Sequence, residues 1–501
     1  MLRPMRAFVA SCALLLTVGC TQADDSLFAA EPELIFHPKQ PMIVDVIIEL
    51  AQPGEVEVAH ASDSGVLVAT LAVEDEGRRH HLRVRGLAPD SDHQLSLEVS
   101  ASEGGASSSG TLDFRTDYFL PGFRPSFEVE VHDEAALDSA YRMFDYTYTP
   151  LWEPSGIYVV DTQGVSRWYL ESGPALLPGP TSIWGGIEML EDGSILALRD
   201  GGILIIDELG ERRFDYHPLD EGVASFHHEV IQLANGNFLA LGNSFGDVDY
   251  SALDPEIGEQ HVAGDYLVEV NPAGEIVWTW DAFGHLDPQR ILAEFNTGLE
   301  YINPETGQAG YDWTHDNGMV HSAEDDVILL SMRHQDWIVA IDHQSGDLLW
   351  RLGPDGDFEL DEGRWFHHQH SPQWQADGTL LLYDNGLDLS IEPTQWRSRA
   401  VRYALDDDAM VATQVWEWDD EQPYLAAVAS DADRTPAGNV LVLDSSLQPD
   451  LSVFDIGQNY SRLVEVAYEG SSSPIWSMQT KQGSFVYRAT AVDRLPGGAE
   501  L

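Results

Sequence analysis

The sequence predicts an all-β protein in which a small N-terminal β-sandwich is followed by a six-bladed β-propeller. Three observations carry this prediction. The chain has 501 residues, which allows two or three domains. Short alternating apolar runs fill its first part, and two kinds of strand unit recur along the remainder.

The first twenty residues are typical of a targeting segment. Arg3 and Arg6 form a basic start, and the apolar run 7–18 is too short to span a bilayer comfortably. The run ends in LLLTVGC, which resembles the lipobox of a bacterial lipoprotein signal with lipidation at Cys20. We therefore expect an exported periplasmic or outer-membrane lipoprotein, held to the membrane only by this anchor; an ordinary secretory signal is the alternative. Residues 21–33 are small and polar, as in a tether.

Residues 34–118 contain the strands of the predicted sandwich. Alternating runs such as MIVDVIIEL, VLVATLAV and HQLSLEVSA are separated by turn residues, among them Pro53-Gly54 and Gly104-Gly105. The stretch LRVRGLAPDSDHQLSLEVS resembles the fibronectin type III signature, in which a Gly-Leu-x-Pro turn precedes a strand. This predicts a fibronectin III-like domain that ends near Pro121.

Residues 119–501 carry the propeller repeats. One unit is a small-residue turn followed by an apolar strand, as in LEDGSILALRD (190–200), LANGNFLALGN (233–243) and QADGTLLLYDN (375–385). The other is a strand, a tight turn and a second strand, often ending in an aromatic residue, as in YLVEVNPAGEIVWTW (266–280); it occurs six times. Each repeat can bury its faces only against its neighbours, and we expect the recurring tryptophans to pack between blades. An insertion at 281–313 contains a predicted short helix over 288–295.

Charge and cysteine content exclude several classes of function. The formal net charge of −58 comes from 84 acidic and 26 basic residues, so nucleic acids would be repelled. The chain has two cysteines, Cys12 within the signal and Cys20 at its end. The body therefore has no thiol for a disulfide, a zinc–thiolate site or a cysteine nucleophile.

Histidines recur directly before the strands that carry, or precede, the small-residue turns. In a propeller the innermost strand of each blade lines the central channel, so these side chains would converge. Neutral histidine is a nucleophile, and arginine offers a planar fork of donors to a tetrahedral oxyanion such as sulfate or phosphate. The three segments contribute His227 and His228; His315, Asn317, Arg333 and His334; and His367, His368, His370, Asp384 and Asn385.

Four motifs in these segments and a fifth at the C-terminus resemble the bacterial arylsulfate sulfotransferase family. They are FHHE, DWTHDN, SMRHQD, WFHHQH and the closing FVYRATAVDRLPG. The resemblance implies transfer of a sulfuryl group from a phenolic sulfate ester to a phenolic acceptor through a sulfohistidine, with no cofactor. His370 would be the nucleophile, assisted by His228, His315 and Arg333. It further implies a substrate-binding set of four residues: Asn317, His227, His334 and His368.

Other functions stay open at this stage. The segment IDHQSGDLLWRLG resembles the docking repeat of pyrroloquinoline quinone propellers, which would make the protein a quinoprotein-like dehydrogenase. A surface-anchored binding propeller without catalysis is a further alternative. A metal site would draw on His367, His368, His370 and Asp384, but adjacent residues of an extended segment point to opposite sides, so we predict no metal. The sequence does not decide between a monomer and a homodimer.

Overall fold

A computed structural model describes residues 27–62, 69–75, 77–117, 125–137, 140–148, 155–171, 184–218, 225–291, 300–420, 424–436, 438–447, 459–470 and 473–498. The predicted signal segment 1–20 with Cys20, and residues 21–26 of the predicted tether, lie outside these ranges. The chain divides into two compact units, Met1–Phe119 and Leu120–Leu501.

The described residues of the first unit form two antiparallel sheets, ordered β1-β2-β5-β4 and β3-β6-β7. In β6 the buried Leu95, Leu97 and Val99 alternate with more exposed residues, so the sheet has one apolar face. The strands are β1 (Glu33–His37), β2 (Gln40–Glu49), β3 (Gly54–Ser62), β4 (Ala69–Asp75), β5 (Arg79–Arg85), β6 (Asp92–Ala101) and β7 (Ser107–Arg115).

The second unit is also almost entirely β-structure. Its described strands are β8 (Phe127–Val131), β9 (Tyr141–Tyr148), β10 (Ser155–Asp161), β11 (Ser166–Glu171), β12 (Gly185–Met189), β13 (Ile195–Arg199), β14 (Gly202–Ile206), β15 (Arg212–Tyr216), β16 (Phe226–Gln232), β17 (Phe238–Asp249), β18 (Glu259–Val270), β19 (Ile276–Asp281), β20 (Glu300–Ile302), β21 (Ala309–Asp312), β22 (Asp316–Ser322), β23 (Val327–Met332), β24 (Trp337–Asp342), β25 (Leu348–Leu352), β26 (Glu359–Glu362), β27 (His370–Trp374), β28 (Thr379–Asp384), β29 (Arg399–Asp406), β30 (Val411–Trp418), β31 (Asp431–Arg434), β32 (Val440–Leu447), β33 (Tyr460–Val466), β34 (Pro474–Thr480), β35 (Ser484–Phe485) and β36 (Ala489–Val492).

Over the described residues these strands form six sheets. The six predicted strand–turn–strand units appear as six antiparallel pairs, one in each sheet. We number the sheets in chain order: sheet 1 is β11-β10-β9-β35 with β36 also on β9, sheet 2 is β12-β13-β14-β15, sheet 3 is β16-β17-β18-β21-β20 with β19 on β18, sheet 4 is β22-β23-β24-β25, sheet 5 is β26-β30-β29-β28-β27, and sheet 6 is β31-β32-β33-β34-β8.

One edge strand of each sheet, which we call its first strand, contacts the corresponding strand of the next sheet in cyclic order. Strand β12 contacts β16, β16 contacts β22, β22 contacts β27, β27 contacts β31, and β31 contacts β36; β9, the partner of β36, contacts β12. The two ends of the unit exchange sheets, because β8 completes sheet 6 on β34 while β36 returns to sheet 1. This exchange ties the first and last sheets together by backbone hydrogen bonds.

Tryptophans join neighbouring sheets at equivalent places. Trp168 of β11 donates its indole N–H to the carbonyl of Glu208 at 2.8 Å. Trp280 of β19 donates to Gly346 at 3.1 Å, and Trp476 of β34 donates to Thr162 at 2.8 Å. In each case the acceptor lies in a strand–strand turn of the following sheet, with sheet 6 followed by sheet 1. The buried rings therefore pack between sheets while their polar edges are satisfied.

Helix is confined to short segments of the described chain. Helix α1 (Ala282–His285) begins after Asp281, whose Oδ1 accepts a hydrogen bond from the amide of Phe283 at 3.0 Å. Residues 288–291, where the sequence predicts the start of a helix, form a turn instead, and residues 292–295 are outside the described ranges. Helix α1 ends before residue 288 and was not predicted from the sequence. Among the described residues, no helix has the length and apolar character needed to cross a bilayer.

Candidate active site

His228, His315 and His370 come from different sheets and lie where the first strands of sheets 3, 4 and 5 deviate from regular pairing. The register shifts between His227 and Val230 in β16, between Asp316 and Gly318 in β22, and between His370 and Gln373 in β27. A bulge re-aims the side chains next to it, which is why bulges are frequent beside active sites. Residues at these bulges also have positive φ: +59° at His228, +50° at His315 and +52° at Ser371.

The imidazoles form a contiguous row. The ring centroids of His228 and His315 are 4.9 Å apart, and those of His315 and His334 are 4.6 Å apart. His368 continues the row at 6.1 Å from His334. Burial, together with the positive field of His227 and His315, lowers the pKa of His228 well below its usual value. His228 is therefore uncharged at neutral pH.

His370 is buried and held by one side chain. Its Nδ1 lies 2.6 Å from Oδ1 of Asn385. The amide nitrogen of Asn385 donates to the carbonyls of Ala426 at 2.5 Å and Ala429 at 3.1 Å, which fixes its oxygen toward His370. An amide oxygen can only accept, so Nδ1 of His370 carries the hydrogen. The lone pair is then on Nε2, which leaves that nitrogen free of a hydrogen.

Two arginines supply positive charge beside His370. Arg333 begins the 3₁₀ segment Arg333–Gln335 that follows β23, and its Nη2 donates to the carbonyl of Ala427 at 3.2 Å. Burial and then the charges of Arg488 and Arg333 lower the pKa of His370 well below its usual value. Burial and Arg333 lower the pKa of His315 to about 3. An anion at this place would face two guanidinium groups and uncharged imidazoles.

Arg488 links the first strands of the other sheets. Its Nη2 donates to Oε2 of Glu229 at 3.0 Å and to the carbonyl of Asn317 at 2.7 Å. Its Nη1 donates to the hydroxyl of Ser371 and to the carbonyl of Ser430 at 3.1 Å. From sheet 1 it thus reaches residues in or next to the first strands of sheets 3 to 6.

Carboxylates lie against His315 and His227. Nδ1 of His315 lies 2.5 Å from Oδ2 of Asp312, whose pKa burial raises to about 7. Nδ1 of His227 lies 2.7 Å from Nδ1 of His228, while its Nε2 is 3.1 Å from Oδ1 of Asp265 but not aligned for a hydrogen bond. These contacts set which ring nitrogen of His315 faces the site.

The structure brings some of the sequence-predicted site residues together and gives others different partners. His228, His315, Arg333 and His370 lie together, and the rings of His227 and His334 contact those of His228 and His315 respectively. The side chain of Asn317 instead donates to the carbonyl of Gln369 at 2.8 Å, which supports the segment before His370.

His368 lies at the far end of the histidine row, next to Asp336. Its amide donates to Oδ1 of Asp336 at 2.7 Å, and its Nδ1 lies 3.3 Å from the same oxygen. His367 also faces Asp336, with Nδ1 3.1 Å from Oδ2. His367 and His368 thus share Asp336 while His370 faces Asn385, and these histidines with Asp384 are not among the groups of described residues whose ligand atoms converge. Among the described residues, the site instead offers Asp312, His315 and His334 as a group that could hold an ion.

Two tyrosines without an assigned role in the sequence prediction border the cluster. The ring of Tyr301, in strand β20 of the predicted insertion, stacks on His227 with centroids 5.9 Å apart. The ring of Tyr487 is 5.8 Å from that of His228, and its hydroxyl donates to the carbonyl of Asn317 at 3.4 Å. Tyr487 belongs to the closing FVYRA segment, and that motif could have indicated it from the sequence. No sequence motif indicated Tyr301.

Comparison with known proteins defines the family. Residues 128–488 match the arylsulfotransferase (ASST) family, and the chain belongs to it. It is 26% identical over 379 residues to the arylsulfate sulfotransferase AssT of Escherichia coli, covering 62% of this chain and 60% of that protein. The AssT of Lelliottia amnigena is 25% identical over 325 residues, covering 53% of each.

The match to these relatives is partial in length, since the chain spans between about half and three fifths of them. Among solved structures, the hydrazine synthase of Kuenenia stuttgartiensis superposes with a TM-score of 0.32 and 9% identity, covering 59% of this chain and 66% of that one. A likeness this low carries no argument about fold or function.

Proposed function

We propose that the second unit is a six-bladed β-propeller that transfers a sulfuryl group from an aryl sulfate ester to a phenol through a sulfohistidine at His370. Membership of the arylsulfotransferase family supports the reaction class. The cyclic contacts of the first strands and the exchange of strands between sheets 1 and 6 support the propeller. The two antiparallel sheets of the first unit support a β-sandwich there.

The orientation of His370 is the observation that carries the mechanism. With Nδ1–H donated to Asn385, Nε2 attacks sulfur, the N–S bond forms, and the S–O bond to the aryl group breaks. The electron pair of that bond leaves on the phenolate oxygen. The product is an N-sulfonated imidazolium, whose remaining N–H keeps its bond to the amide oxygen.

In the proposed reaction Arg333 binds the sulfuryl oxygens. Its fork of N–H donors matches two oxygens of a tetrahedral anion, and its charge stabilises the negative charge that grows on them and on the leaving group. In the second half-reaction an acceptor phenol attacks sulfur and returns the electron pair to Nε2 of His370. His228, buried with a lowered pKa and therefore uncharged, accepts the phenolic proton.

The intermediate is the direct test. The protein is mixed with 4-nitrophenyl sulfate without acceptor, quenched at alkaline pH, digested and examined by mass spectrometry. We expect one sulfuryl group, about 80 Da, on the peptide that contains His370, and loss of that mass on addition of phenol. Transfer activity without an adduct on this peptide in the presence of donor would contradict the proposal.

The lowered pKa of His370 gives a pH prediction. A histidine with an ordinary pKa near 6.5 would be mostly protonated, and so unable to attack, at pH 5. Because burial, Arg488 and Arg333 lower the pKa of His370, its neutral form persists as pH falls through that range. We expect the acid limb of kcat/KM for the aryl sulfate to lie below pH 6.5, the ordinary pKa of histidine.

The control for the pH profile removes one of the charges. Arg333→Gln should move the acid limb of kcat/KM upward, toward 6.5, as well as lowering its plateau. A wild-type profile that already falls with an apparent pKa of 6.5 would show that His370 is not the ionising nucleophile, or that its environment is not the one described.

Export and membrane anchoring at Cys20 remain proposals from the sequence alone, as do the periplasmic or outer-membrane location and the oligomeric state.

A further inference from the structure

A second group of histidines lies at the other end of strand β22. His321 is near the end of β22, Asp326 is in the following turn, and His343 comes directly after β24. Nε2 of His321 and Nδ1 of His343 each lie 2.9 Å from the same oxygen, Oδ1 of Asp326. All three potential ligand atoms lie within 4.8 Å of one another. Two imidazole nitrogens and one carboxylate oxygen thus point to a common place.

The neighbouring sheet fixes the orientation of His343. Its Nε2 lies 3.0 Å from Oε2 of Glu269 in β18. The other oxygen of Glu269 accepts from the side-chain amides of Asn237 at 2.6 Å and Asn235 at 3.2 Å. Metal-binding histidines in proteins commonly donate their second ring N–H to a carboxylate, which holds the ring and makes the first nitrogen a better ligand.

Solvent access and charge also suit a cation at this place. The side chains of His321 and His343 are 12% and 13% exposed, whereas that of Asp326 is 55% exposed, so the group opens to water on one side. Asp326 has φ +55°, which fixes the tight turn that brings its carboxylate to both rings. The formal net charge of −58 raises the concentration of cations around the whole protein.

We propose that His321, Asp326 and His343 bind a divalent transition-metal ion, with zinc as the best match to two imidazoles, one carboxylate and water. The ion would lie between Nε2 of His321, Nδ1 of His343 and Oδ1 of Asp326, and a hydrogen on either of these two ring nitrogens would be released to solvent. His343 would keep its second N–H on Glu269. The site would then join the β22–β23 turn, the end of β24 and strand β18, so that it clamps sheets 3 and 4 together.

This metal site is separate from the proposed active site. His315 and His321 are six residues apart along the strand, roughly 20 Å at about 3.3 Å per residue. We therefore expect bound zinc to stabilise the folded protein without taking part in sulfuryl transfer, and removal of His321 to leave the transfer rate unchanged.

Zinc titration of the full chain tests the proposal. Isothermal titration with ZnCl₂ should find one more high-affinity equivalent in the wild type than in the His321→Ala/His343→Ala double variant. Counting the difference separates this site from any zinc bound by the group Asp312, His315 and His334. The melting temperature should rise with zinc in the wild type and rise less in the double variant.

Two single substitutions test whether zinc binds at these three residues rather than elsewhere on the acidic surface. Asp326→Asn keeps a residue that tolerates positive φ but loses the anionic ligand, and we expect zinc affinity at this site to fall at least 10-fold. Asp325→Asn removes the adjacent exposed charge, which faces Ser322 rather than the histidines, and should change the affinity less than 2-fold. Equal zinc stoichiometry and affinity in the wild type and the double variant would overturn the proposal. Equal losses in Asp325→Asn and Asp326→Asn would also overturn it, since they would indicate a diffuse acidic surface.

Discussion

Replacing His370 with alanine is expected to lower kcat for sulfuryl transfer from 4-nitrophenyl sulfate to phenol by roughly 10³-fold or more. The reason is that the covalent route disappears, and the donors left in the site can only assist a direct transfer. Activity should be measured as 4-nitrophenolate release under saturating phenol, with the unfolding midpoint recorded alongside. Activity within 10-fold of the wild type, in a folded variant, would show that another residue carries the sulfuryl group.

His367→Ala is the matched control for this variant. It removes an imidazole from the same segment, but one that faces Asp336 rather than the cluster, so kcat should fall less than about 3-fold. Asn385→Ala tests orientation rather than nucleophilicity. It should lower kcat by roughly 10- to 100-fold with little change in KM, because Nδ1 of His370 loses the acceptor that fixes its hydrogen.

The strand–turn–strand units and the positions of the histidines could be predicted from the sequence because both depend on local patterns. Each strand–turn–strand unit is contiguous, and its alternation is set by the two faces of one sheet. His228, His315 and His370 each stand where a polar segment gives way to the strand before a small-residue turn. Such positions recur in the chain, so the convergence of their side chains could be inferred from the repeat.

The local backbone at the site could not be predicted in this way. Positive φ is unfavourable for histidine, with a cost of about 1–3 kcal/mol, and is adopted only where surrounding contacts impose it. The rings of His228 and His315 contact each other between sheets 3 and 4, and the carbonyl of His315 accepts a hydrogen bond from the amide of Arg333. Pattern and propensity describe what a segment prefers alone, so they predicted regular strands where the structure has bulges.

Contacts between residues far apart along the chain could not be predicted from the sequence either. The pairs that Arg488 makes with Glu229 and Asn317 span 259 and 171 positions of the chain. The sequence marked the closing FVYRA segment only as a motif, because the partners of its arginine are defined by the return of β36 to sheet 1. The stacking of Tyr301 on His227 depends likewise on the insertion folding back onto β18.

Arg488→Met is expected to destabilise the protein by about 3–5 kcal/mol, the largest effect on stability that we predict. The substitution keeps the apolar length of the side chain but removes a buried charge that hydrogen-bonds residues from four sheets. It leaves Glu229 without its cationic partner and two main-chain carbonyls without this donor, and breaking a buried ion pair from one side costs this much in other proteins. Urea unfolding followed by circular dichroism measures the difference.

The destabilisation should be large only for a buried arginine, and part of it should come from Glu229. Arg212 pairs with Asp215 at the surface, where the two side chains are 56% and 38% exposed, so Arg212→Met should cost less than about 1 kcal/mol. Burial already raises the pKa of Glu229 to about 7 in the presence of Arg488, so the carboxyl is costly to keep charged without it. Glu229→Gln added to Arg488→Met should therefore recover part of the lost stability at pH 8, and less at pH 6, where the lone carboxyl is protonated in any case. If Arg488→Met unfolded at the same urea concentration as Arg212→Met, the guanidinium could not be the tie between the sheets that its hydrogen bonds indicate.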